Sequence, residues 1–148
     1  MSTTAEEQQV LPEVQEFLSR GPHKAVIGGQ EFTSSNGATF TTRDPGSGDT
    51  LAEVYDMQPD DVERAVDAGD RAFREAQWAR LPINERGALL HRLADAVEKH
   101  IPIIGQIEAM DAGKIYAQAQ GDVQNFVDTM RYFTDLSQHM QYRTTIAV

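Results

Sequence analysis

The 148-residue chain contains no cysteine. That excludes disulfides, thiolate zinc sites, iron–sulfur ligation and a cysteine nucleophile within these residues. Basic residues are scarce as well: 13 Lys and Arg stand against 23 Asp and Glu, giving a formal charge of −10. A chain this acidic is poorly suited to phosphate backbones or anionic membrane surfaces, so neither nucleic acid nor membrane is an expected partner. No apolar run approaches the roughly 20 residues that a spanning helix requires. The opening residues 1–9 are polar and acidic and do not read as a secretory signal, which leads to an expected cytoplasmic location. There is no Gly-x-Ser-x-Gly elbow for a serine hydrolase. His23, His91, His100 and His139 show no paired metal-ligand spacing.

What remains has ordinary globular composition, 40% hydrophobic and 24% charged, without an internal repeat. Residues 1–22 read as an N-terminal helix or arm: Val10, Val14, Phe17 and Leu18 share one helical face, and Gly21-Pro22 stops it. Residues 24–56 change period. Short β-prone runs, Ala25-Val26-Ile27, Thr39-Phe40-Thr41-Thr42-Arg43 and Thr50–Tyr55, alternate with Gly-, Asn- and Pro-rich turns, the pattern of antiparallel hairpins.

From Gln58 the period becomes helical. Pro59 suits a first helical position, Asp60 and Asp61 a first turn, and Val62, Ala65, Val66, Gly69 and Phe73 an apolar stripe. Gln58 is a weak N-cap. Pro82 opens a second helix with a stripe through Leu89, Leu90, Leu93, Ala94 and Val97, and Pro102 a third that closes near Gly113. A last helix is predicted from about Gln118 to Met140, with Val123, Phe126, Val127, Met130 and Phe133 as core positions. Thr144–Val148 reads as a strand with nothing after it to pair with.

Individual motifs yield to plain structural explanations. Gly46-Ser47-Gly48 begins like a dinucleotide fingerprint but lacks the third Gly and leads into a strand, where the fingerprint must open a helix. Gly113-Lys114 has neither the preceding Gly nor the following Ser/Thr of a phosphate loop, and reads as a helix C-terminus. Gly28-Gly29-Gln30 matches the tripeptide of translation release factors, but here it reads as a hairpin turn in an acidic protein. Asp56, Asp60, Asp61, Glu63, Asp67 and Asp70 read as a solvated helix face, and Trp78 as a plug between helices.

The order of segments says more than any motif. Val26–Phe32 is followed by Thr39–Gly48, Asp60–Val66, Ala72-Phe73, Trp78, Glu85–Asp95, Met110–Lys114 and Arg131-Tyr132-Phe133. In this order and spacing, residues 26–148 resemble the N-terminal segment of the NAD(P)-dependent aldehyde dehydrogenase superfamily. The sequence departs from it at Ala112 and Ile115, where many members have Asn and Pro; that alters a turn.

The resemblance implies an α/β fold of which this chain covers the N-terminal β-hairpins and about four helices, without the central parallel sheet. Residues 23–148 would be the N-terminal part of the cofactor-binding domain, ending at the first strand of the oligomerisation arm. It implies NAD or NADP as cofactor, an aldehyde as substrate and a homo-oligomer, all for a much longer subunit. The family's cysteine thiolate attacks the aldehyde, hydride passes to the nicotinamide, and a glutamate helps water release the acid. Those residues lie downstream of the segment matched here, so the resemblance gives this chain no catalytic or cofactor-binding residue and predicts it to be inactive alone. Two secondary sites carry over. A monovalent cation would be held by backbone carbonyls at Thr42 and Arg43 and by the Asp111 carboxylate, hard oxygen ligands suited to a hard cation. Asp122 and Phe126, one turn apart, would flank the substrate entrance. The alternative is a non-catalytic helical module that binds a full-length dehydrogenase or another partner.

Overall fold

Gly28 and Gly29, with φ of 58° and 80°, turn the chain between β1 (Ala25–Ile27) and β2 (Gln30–Phe32). Both residues of this turn need positive φ, which glycine supplies without steric cost. A second antiparallel hairpin pairs β3 (Thr39–Arg43) with β4 (Thr50–Tyr55), and its register shifts at Thr42/Arg43 in a bulge. Gly46-Ser47-Gly48 lies in the loop joining these strands. The computed structural model describes residues 9–75 and 77–140, so the expected strand at Thr144–Val148 lies outside the described residues.

Five α-helices frame the hairpins among the described residues: α1 (Pro12–Ser19), α2 (Pro59–Glu75), α3 (Ile83–Glu98), α4 (Ile101–Ala112) and α5 (Tyr116–His139), with a 3-10 turn at Gln77–Arg80. The first is the expected arm and the others the four expected helices. Pro82 stands at the N-cap of α3 and Pro102 one residue inside α4, each where a missing N–H costs nothing. Gly113 closes α4 in the left-handed conformation (φ 66°, ψ 32°), the helix end read from Gly113-Lys114. Helix α5 begins two residues earlier than the stripe suggested.

The core lies where α3 and α4 pack on α5. Ala94, Ala119 and Val127 are fully buried, and Thr134 nearly so. Gly105 lets α4 approach α5 closely: a Cβ there would stand 2.9 Å from Gln120 Cγ and 3.1 Å from its Cα. Phe126 and Phe133 contradict their expected place as core: both are exposed, because α5 carries more apolar surface than two neighbouring helices can cover. Trp78 is 43% exposed, where a plug between helices would be buried. Helix α2 leaves its whole stripe open, with Val66 at 65% and Phe73 at 82%.

The acidic face of α2 holds a further correction. Asp61 is only 1% exposed. Its Oδ2 accepts hydrogen bonds from the N–H of Gln58 (3.0 Å) and of Ser35 (2.9 Å), and Arg64 lies 3.4 Å from Oδ1. Gln58 O accepts the first helical hydrogen bonds, so Gln58 holds the N-cap position, and Asp61 reaches back to it as the acid of a capping box does. The Ser35 and Gln58 amides hold the Asp61 carboxyl below the usual carboxylate range. Asp61 thereby ties the start of α2 to the loop after β2.

Candidate functional site

Two places gather the residues singled out by sequence. The first is an open groove of about 590 Å³ along α3 and α5, whose lining includes Leu90, Asp122, Asn125, Phe126, Met130 and Phe133. Asp122 and Phe126 stand one turn apart on it, as their spacing requires. The groove wall is mostly apolar with a carboxylate at one end. That carboxylate is held: Lys114 Nζ donates to Asp122 Oδ2 at 3.2 Å and to Glu108 Oε1 at 2.6 Å. Glu108, then Asp122, raise the Lys114 ammonium above its ordinary value. The groove can take an apolar group with a polar end; its lining offers hydroxyls and the ion-paired Asp122 carboxylate, and no thiol or amine.

An ion-pair cluster and a histidine–carboxylate contact fasten α3 to α5 beside the groove. Arg131 donates to Glu98 Oε1 and Oε2 at 2.9 and 2.7 Å and to Asp95 Oδ1 at 2.6 Å. The guanidinium holds both carboxyls below their usual range, and they raise it in turn, Glu98 most. His91 Nε2 lies 2.8 Å from Asp135 Oδ1 on the same pair of helices. Sequence reasoning missed the Arg131 cluster. Its signal was Asp95 and Glu98, three apart on one helix and thus on one face.

The second place is a hollow of about 260 Å³ between α1, the β3–β4 hairpin and the end of α4. Thr42 and Asp111 both line it, together with Phe17, His23, Leu51 and Met110. Arg43 departs from this group: its Nη1 donates back across the hairpin to Gly48 O at 3.2 Å. The bulge between Thr42 and Arg43 interrupts the ladder at the two residues whose carbonyls were singled out. His23 stacks on Phe17 at 4.5 Å between ring centroids, and its Nε2 is buried without a hydrogen-bond partner among the described residues. No cluster of three or more His, Cys, Asp or Glu able to hold a metal ion gathers among the described residues.

The Gly46-Ser47-Gly48 loop joins two antiparallel strands and opens no helix, so it lacks the row of helical N–H groups that would hold a pyrophosphate.

Paired hairpins beside a helical layer with open apolar faces are a section of a larger α/β fold, and that is where the comparisons place the chain. The sequence pattern of the Aldehyde dehydrogenase family matches residues 32–148. A mitochondrial benzaldehyde dehydrogenase of Antirrhinum majus is 41% identical over 111 residues, covering 74% of this chain and 21% of that protein. The putative aldehyde dehydrogenase DhaS of Bacillus subtilis (strain 168) is 36% identical over 126 residues, covering 84% of this chain and 25% of its own length. An NAD+ complex structure of aldehyde dehydrogenase from Bacillus cereus superposes with a TM-score of 0.84 at 33% identity, covering 93% of this chain and 28% of that one. The chain belongs to the aldehyde dehydrogenase family, a family of oxidoreductases, and spans 14–25% of the length of the curated relatives it matches.

Proposed function

We propose that this chain is the N-terminal portion of an NAD(P)-dependent aldehyde dehydrogenase and that alone it oxidises no aldehyde. In this reading, residues 23–148 are the first part of the cofactor-binding domain and residues 1–22 its arm. Substrate, cofactor and oligomeric contacts belong to the assembled enzyme. The observation that carries the reading is the combination of the family match with an open apolar stripe on α2, a face shaped for packing that no described residue covers. The absence of cysteine gives the inactivity its chemical reason. Within the assembled enzyme, Asp122 and Phe126 flank the substrate entrance, and a monovalent cation is held at the Thr42 and Arg43 carbonyls and Asp111.

A second reading, a non-catalytic module that binds a full-length dehydrogenase, draws on the same open stripe. An activity assay tests the inactivity, and the downstream coding sequence separates the two readings. The purified chain is assayed for NADH formation with benzaldehyde and NAD+, and the coding sequence following Val148 is read in its source genome. The first reading expects no NADH, and an in-frame or frame-shifted continuation that encodes a glycine-rich cofactor loop and a cysteine. NADH above background from the Cys-free chain overturns the inactivity. Unrelated sequence after Val148 turns the conclusion toward the binding module.

A further inference from the structure

Residues 9–14 are held on α4 by a side chain that imitates a strand. Leu11 N–H donates to Gln106 Oε1 at 2.7 Å, and Gln106 Nε2 donates to Gln9 O at 3.2 Å. Leu11 is extended (φ −61°, ψ 141°). One side-chain amide thus satisfies an N–H and a C=O two residues apart, as a neighbouring β-strand would. Gln106 is only 5% exposed, although it lies within the apolar run of α4. Beside it, Val10 shares a hollow of about 360 Å³ with Ala109, Met110 and Tyr116, with the charged Asp44 and Lys114 also on its wall. Four residues on, Val14 is fully buried.

Both hydrogen bonds go to main-chain atoms, so the clasp reads an extended backbone and the apolar seats read side chains four residues apart. We propose that this face of α4 is a peptide-binding site, filled by residues 9–14 of its own chain, and that the same segment of a second copy exchanges into it. The arm from either copy offers identical contacts, which is the condition for exchange of an element between protomers. The join to β1 runs through exposed Arg20 and Gly21. The tether favours the chain's own arm at low concentration, and the second copy's arm gains as concentration rises. The family pattern begins at residue 32, so the arm lies before it and the α4 seat within it.

The Cys-free chain permits single-cysteine reporters. Chains carrying Val10→Cys and chains carrying Ala109→Cys are mixed and treated with a short bis-maleimide, and a chain carrying both substitutions is treated separately. The double variant is expected to close within one chain, and the mixed pair to give a covalent heterodimer. That heterodimer should fall about tenfold when Gln106→Leu is added to the Ala109→Cys chain, the effect of losing two hydrogen bonds. Excess peptide carrying residues 9–19 should suppress it equally, which keeps the test decisive if Gln106→Leu folds poorly. No heterodimer from the mixed pair, with closure in the double variant, overturns exchange. A heterodimer indifferent to the peptide overturns the site, and failure of the double variant to close overturns the proposal as a whole.

Discussion

Helix α5 buries Ala119, Val127 and Thr134 against α3 and α4, whereas α2, with an equally regular apolar stripe, leaves Val62, Val66 and Phe73 facing outward. Both helices carry an apolar stripe of helical period, and of the two only α5 has helices packed along it among the described residues. Periodicity specifies which face a helix offers; it does not say whether the rest of the chain supplies something to cover it. What holds α2 in place is polar: Asp61 satisfies the Gln58 and Ser35 amides and binds the first turn to the preceding loop.

The contrast breaks most visibly with one substitution made in each helix. Val127→Asp places an unpaired carboxylate in the α5 core, at an expected cost of about 4 kcal/mol or more. Val66→Asp on α2 is expected to stay within about 0.5 kcal/mol, because the valine is already in water. Urea unfolding followed by circular dichroism measures both. Equal losses would mean that α2 is covered in solution. A matched pair of glycines gives the next effect. Gly105→Ala forces a methyl against the Gln120 backbone and should cost about 2 kcal/mol by overpacking. Gly69→Ala on α2 meets nothing within 4 Å and should stabilise by about 0.5–1 kcal/mol through helix propensity. A gain at Gly105 would show that the α4–α5 approach is looser than its geometry.

Asp61→Ala removes the cap. Hydrogen exchange at the Gln58 and Ser35 amides should quicken on the order of tenfold. Protection elsewhere in α5 should hardly change, since α2 and α5 are secured separately. If α5 loosened equally, the two helices would belong to one cooperative unit.

These contrasts also mark what sequence made legible. The hairpins, three of the five helix starts within a residue, and the Gly113 cap followed from local signals: glycine turns, proline at first turns, and a left-handed residue at a helix end. The family followed from the order of segments. What escaped reading was set by tertiary neighbours. Asp61 lies in a run of acids and looked solvated because its partner, the Ser35 amide, is 26 residues away. Gln106 passed unremarked inside Ile103–Ile107, although a lone amide in an apolar run signals a buried polar contact. Phe126 and Phe133 were assigned to the core by a period that cannot count the helices available. Of the candidate site, the pairing of Asp122 with Phe126 was legible from helical spacing. The meeting of Thr42 with Asp111 in one hollow came through the family resemblance and from no local pattern.

The smallest expected effect concerns the charge clamp, a feature that α5 has and α2 lacks. Arg131 lowers the folded-state pKa of Asp95 and Glu98, so the clamp contributes stability above the ordinary carboxylate range, at about pH 4–4.5, and loses it as pH falls through the lowered values. Arg131→Met should therefore destabilise the chain near pH 6–7, with the difference from the unsubstituted chain shrinking toward zero at about pH 2–3. All three side chains are partly exposed, so salt should shrink the difference as well. Asp61 loses its own contribution over the same acid range, but it does so in both proteins and cancels from the difference. Urea midpoints from about pH 2.5 to 7, at low and high salt, give the curve. A difference independent of pH would mean that Arg131 acts through the packing of its stem against α3, and that the two helices differ in burial alone.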